Sequence, residues 1–165
     1  MSTRESYSVA EWETLRQAPI LAGLFVMTGD RPGPLEVLRE SLGIARVMTH
    51  DPPPDARNEL TNALVTEARS GAPSQSDVAS KAEKLAPKEA RARALQGMLD
   101  AIAIVTRVSP GESLGFRRYL YHTANITAQS VKEGGFLGIG GKPISVGEAA
   151  MLADLADSLD VTPQP

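Results

Sequence analysis

Pro87-Lys88-Glu89-Ala90-Arg91-Ala92-Arg93-Ala94-Leu95-Gln96-Gly97-Met98-Leu99-Asp100-Ala101-Ile102-Ala103-Ile104-Val105-Thr106-Arg107-Val108 decides the fold class. Proline suits the first position of a helix, because its missing amide has no bond to make there. From Lys88 to Val108 the apolar residues Leu95, Met98, Leu99, Ile102, Ile104 and Val105 recur at helical spacing. Residues 101–105 are apolar on every side, which predicts that this helix is the buried centre of a bundle.

The flanks repeat the pattern. Ser109-Pro110-Gly111-Glu112 has the spacing of a capping box, in which the serine and the glutamate each bond the other's backbone amide. It predicts a helix to about Lys132 that carries Phe116, Tyr119, Leu120, Ile126 and Val131. A second box, Ser145-Val146-Gly147-Glu148, opens a last helix with Ala149, Leu152, Ala153, Leu155 and Leu159 inward. Upstream, a short charged helix is expected over Asp77–Ala86, an exposed linker over 70–76, and a helix over about Asp55–Arg69 burying Ala56, Leu60, Ala63 and Leu64. His50-Asp51-Pro52-Pro53-Pro54 is a rigid break. Before it, Pro34 opens a helix with Leu35, Leu38, Leu42 and Ala45 on one stripe and Val47 and Met48 near its end. Ser8-Val9-Ala10-Glu11 caps a first helix to Ala18, and Pro19 is expected to interrupt it before a second from Ile20 to Thr28. No segment alternates as a strand does. The expected fold is all-α: one domain over 1–165, an irregular bundle of about six to eight helices with short Pro/Gly connections, and a frayed tail at 162–165.

Composition narrows the function. Of 165 residues 42% are hydrophobic and 22% charged, as in a soluble globular protein, and only 4% are aromatic, so the core is aliphatic. A net charge of −3 and a pI near 5.4 speak against a nucleic-acid binder. The absence of cysteine removes disulfides, thiolate metal sites and a cysteine nucleophile. The apolar run from Pro19 to Met27 is too short to cross a bilayer and lacks the pattern of a signal peptide, so the cytoplasm is the expected location.

One segment does not fit a purely helical account. Glu133-Gly134-Gly135-Phe136-Leu137-Gly138-Ile139-Gly140-Gly141-Lys142-Pro143-Ile144-Ser145 is glycine-rich and apolar at once. It is not a phosphate-binding P-loop, because Phe136 and Pro143 stand where that motif needs a glycine and a Ser or Thr. It has two other readings. Phe136, Leu137, Ile139 and Ile144 plug a groove between helices, or Phe136, Leu137, Ile139 and Lys142 dock on a partner protein, a second copy or a membrane surface.

Other polar groups offer narrower options. Arg117, Arg118 and His122, with Tyr119 and Tyr121 between them, are candidates for binding an anion, although consecutive helical residues point in different directions. His50 and His122 belong to neither a His-Glu-x-x-His nor a Glu-x-x-His metal motif. Asp154 and Asp157, one turn apart near the negative end of the last helix, are candidate cation ligands. Lys81, Lys84, Lys88, Arg91 and Arg93 oppose only Glu83 and Glu89, a local net of +3. That run is either a solvated face or the counterpart of an acidic partner or of the acidic C-terminal helix.

The pattern Lys142-Pro143-Ile144-Ser145, Glu148, Leu152, Leu155-Ala156, Leu159 resembles the helix entry of TerB-like, tellurite-resistance-type helical domains over about twenty residues. The acidic Asp-Gly turn of those domains is replaced here by Gly141-Lys142-Pro143, so the resemblance transfers no ligand. The Gly-Gly-Phe-Leu-Gly segment is similar to those of uncharacterised bacterial helical proteins, and this likeness implies no activity. Three functions follow as expectations. The first is a non-enzymatic protein without cofactor that acts by protein or self-association through 134–144. The second is a TerB-like metal-binding domain of a stress response. The third is an enzyme using the neighbourhood of Arg118, Tyr119 and His122.

Overall fold

The computed structural model of the chain describes residues 4–29, 47–71, 85–133 and 144–163. All the regular structure among them is helical, as the sequence predicts. Among the described residues there are five α-helices, α1 (Val9–Met27), α2 (Glu59–Arg69), α3 (Pro87–Val108), α4 (Ser113–Glu133) and α5 (Val146–Leu159), with a 3-10 turn before α1 at Arg4–Ser6 and another between α3 and α4 at Pro110–Glu112. The predicted stripe from Leu35 to Ala45, the charged helix at 77–86 up to residue 84, and most of the 70–76 linker lie outside the described residues.

The centre of the bundle is α1 and not α3. Pro19 does not break α1, which runs unbroken past it. A proline inside a helix costs about 3 kcal/mol or more, chiefly through a lost hydrogen bond and a clash one turn back. Each large apolar side chain that is fully buried returns roughly 1.5–3 kcal/mol. Ile20, Leu24, Phe25, Val26 and Met27 are all buried beyond Pro19, so burial outweighs the proline. Helices α3 and α4 pack along α1, and α5 touches it as well. In α3, by contrast, the buried residues Ala94, Met98, Ala101, Ile102 and Val105 form one face, while Ala103 is exposed and Leu99 is 38% exposed.

Two helix starts differ from expectation, each through a different cap. α2 begins at Glu59 and not at Asp55, because Asn58 caps it by accepting from the Thr61 amide at 2.9 Å. Ser109–Glu112 forms a 3-10 turn with no serine cap. Glu112 is instead buried, and its carboxylate accepts the Leu60 amide at 3.2 Å, so it serves the positive end of α2. A cap borrowed from another helix leaves no local pattern. The two remaining boxes form as read: Ser8 with Glu11, and Ser145 with Glu148.

α5 is seated on the end of α1 through backbone. A Cβ placed on Gly29 would lie 2.5 Å from the carbonyl carbon and oxygen of Gly147, so only glycine permits the approach. Met151, Leu152, Leu155, Ala156 and Leu159 face inward from α5. Ala149 and Ala153, predicted to be buried, are exposed.

Candidate functional site

α4 sends its polar residues to different places. Arg117 lies toward the end of α5, where its Nη1 is 3.6 Å from the Asp160 carboxylate. Asp160 is the C-cap of α5, in the left-handed region at φ 51°. This pairing places a cation at the negative end of that helix, where it offsets part of the acidic charge. Arg118 points the other way, to the segment before α2. Its Nε is 3.6 Å from the Asp55 carboxylate, and its Nη1 donates to the Asp55 carbonyl at 3.3 Å. The predicted anion-binding trio Arg117, Arg118 and His122 therefore does not converge, and each arginine already faces a carboxylate.

His122, one turn beyond Arg118, is half-buried. Burial holds its pKa below the usual histidine value; Asp55 raises it and His50 lowers it. Arg118, His122, Asp55 and His50 thus form one cluster between α4 and the 50–55 segment. Asp55 is the member that the sequence did not reveal, because it lies 63 residues from Arg118. Tyr119 is not part of this cluster. It is buried in the core, and burial pushes its phenol far above the ordinary tyrosine value, against a smaller opposing effect of Thr123. Among the described residues no polar atom bonds the Tyr119 hydroxyl or the Arg117 Nε.

The candidate cation ligands Asp154 and Asp157 are exposed. Among the described residues no three His, Cys, Asp or Glu side chains are grouped so as to hold a metal ion. No helix among those residues is long and apolar enough to cross a membrane.

Of the candidate contact residues, Phe136, Leu137, Ile139 and Lys142 lie outside the described residues. Ile144, which follows them, packs half-buried against the core. Beyond it the chain turns outward. Val146 is 89% exposed, and Ala149, Ala150 and Ala153 are exposed after it. Val146, Ala150, Ala153 and Asp157 share one helical stripe, flanked by Ala149 and Asp154. Val9 is comparably open at 81% exposed, but it stands next to Ser8 and Glu11.

Across protein families, curated proteins and solved structures, the chain finds no match. The reading of the site therefore rests on its own residues.

Of the basic run, Arg91 has a structural partner. Its Nε and Nη2 donate to the hydroxyl and carbonyl of Thr28 at 3.1 and 3.2 Å, which closes the negative end of α1. Lys88 and Arg93 remain exposed, with Arg93 paired to Glu89 one turn away.

Proposed function

We propose that this protein works by non-enzymatic association with protein, through the outer face of α5 and the apolar segment 134–144 that leads into it. The observation that carries this reading is the stripe Val146, Ala150 and Ala153, apolar and exposed on a helix whose opposite face is fully packed. Single exposed apolar residues are ordinary on protein surfaces, whereas contiguous ones mark contact sites. Small side chains also let a partner helix approach closely. The stripe ends in Asp154 and Asp157, and from Val146 to Pro165 the sequence has four carboxylates and no Lys or Arg. The partner surface is accordingly apolar and basic.

Photo-crosslinking in the native host tests this. A photoreactive residue at position 146 should give a discrete protein adduct, and the same residue at position 9 should give none. Adding Phe136→Ser or Leu137→Ser should weaken the adduct while the melting temperature stays nearly unchanged. No adduct from position 146 would refute the reading. A melting temperature lowered by many degrees would show that Phe136 and Leu137 close the core.

A second reading draws on the cluster at Asp55. Arg118 pairs with the Asp55 carboxylate there, and the charge of that carboxylate also acts on His122, which brings a cation, a carboxylate and an imidazole to one side of α4. Tyr119 belongs to the core in either case, so this reading rests on Arg118, His122 and Asp55.

A further inference from the structure

We propose that residues 49–55 form a strap that is held on α4 at neutral pH and released in acid; this is independent of the association reading above. Gly115, Arg118 and His122 fall on one face of α4 at helical spacing. The chain before α2 lies along that face. A Cβ placed on Gly115 would stand 2.5 Å from Asn58 Nδ2 and 3.3 Å from the Ala56 carbonyl oxygen. One turn on, Arg118 holds Asp55 by its carboxylate and by its carbonyl. One turn further, the charge of His50 acts on His122. The segment therefore runs along α4 in the opposite direction.

Polar side chains fasten this strap at both ends. Its first half is held from α2, where Arg69 Nε donates to the Thr49 carbonyl at 2.8 Å and Nη2 pairs with Asp51 at 2.8 Å. Its second half is held from α4 by Arg118. Between them Pro52, Pro53 and Pro54 have no amide to donate. Pro52 and Ala56 are buried beneath, whereas His50, Asp51 and Pro54 are exposed. The Arg69–Asp51 pair is exposed as well, and such pairs contribute only about 0–1 kcal/mol. A segment held in this way opens more readily than the core.

Charge decides when it opens. Arg69 and Arg118 hold the strap, Arg57 donates to its Pro52 carbonyl, and two carboxylates, Asp51 and Asp55, answer these three arginines. An imidazole gains its charge as the pH falls below about 6.5. His50 and His122 then add two cations beside Asp55, which Arg118 already engages. The carboxylates of α2 are placed elsewhere: Glu67 is turned to Trp12 and Arg16 of α1, and Glu59 stands at the Gly115 end, two turns from His122. Asp160 of α5 faces Arg117. Burial of His122 acts in the same sense as His50, and together they outweigh the pull of Asp55. The open strap therefore takes up protons before the closed one as the pH drops below 6.5, and the closed one loses stability. Opening bares the Arg118 and His122 side of α4 together with Pro52 and Ala56.

Amide hydrogen exchange read by mass spectrometry tests this at pH 7.5 and 5.0, with each peptide's rate divided by that of an unstructured chain at the same pH. Protection of residues 48–57 should fall several-fold at pH 5.0, while that of residues 98–105 in α3 holds. His122→Asn should remove most of the fall. His50→Asn, at an exposed position, should reduce it without disturbing α3. Equal protection of the strap at both pH values would overturn the proposal, as would a fall that both variants leave unchanged. A fall shared equally by α3 would also overturn it, since the whole chain would then be unfolding. If His122→Asn loses α3 protection already at pH 7.5, His50→Asn alone decides: a smaller fall supports the strap and an unchanged one removes it.

Discussion

The second half of α1 and the whole of α5 are built from the same kind of sequence and end in opposite situations. Pro19–Met27 is apolar on all sides, and helices α3, α4 and α5 enclose it. Val146–Ala156 is nearly as apolar, yet only its inner face is covered, and Val146, Ala149, Ala150 and Ala153 meet solvent. One run has its burial satisfied within the chain and the other has half of it outstanding. That difference, and not composition, separates the enclosed run from the open one in this protein.

The comparison predicts unequal responses to similar cuts. Phe25→Ala, in the enclosed run, should lower stability by about 3–5 kcal/mol in urea unfolding, the usual result of deleting a packed aromatic side chain. A loss under 1 kcal/mol would mean that α1 is not the centre. Gly29→Ala tests the seat between the two helices. Its Cβ would press on the Gly147 backbone, which cannot swing aside as a side chain does, so a loss of about 1–3 kcal/mol is expected. Gly111, where an added Cβ meets nothing within 4 Å, is the matched control.

His122 stands between the two extremes. Its pKa is held below 6.5 by burial, so the unfolded chain binds its proton first as the pH falls. Stability should be constant with respect to this group above pH 6.5 and should decline as the pH drops below it. Urea midpoints at pH 7.5 and 5.5 should therefore differ less in His122→Asn than in the native chain; equal differences would show that burial does not depress the imidazole. The smallest effect belongs to α5. Val146→Ser/Ala150→Ser should change stability by no more than about 0.5 kcal/mol, as exposed substitutions do, while weakening the crosslinked adduct formed from α5 in the host.

How much of this was legible follows from where each signal resides. All-helical character, the boxes at Ser8 and Ser145, and the inward positions Leu152, Leu155 and Leu159 are local patterns, and the sequence shows them. Pro19 misled because local geometry at a proline is weaker than burial of the five residues that follow it. The rule that placed α3 at the centre also applied to Pro19–Met27, a longer apolar run, and the expected proline break hid it. The wider stripe assigned to α5 included Ala149 and Ala153 because alanine carries little information on which way it faces. Asp55 at Arg118 and Glu112 on α2 depend on residues more than fifty positions apart, and no spacing rule reaches them. The open positions Val146 and Ala150 gave no signal of their own, since only the packed opposite face shows that they are left open.

Val146 and Val9 provide the most direct measurement, since each is a nearly fully open valine at the first position of a helix. Carbene footprinting of the chain, once purified and once in the native host, reports the exposure of both in each sample. The account predicts that labelling of Val146, Ala150 and Ala153 is several-fold lower in the host than in the purified chain while labelling of Val9 is the same in both. Val146 labelled as strongly in the host as in the purified chain would contradict it.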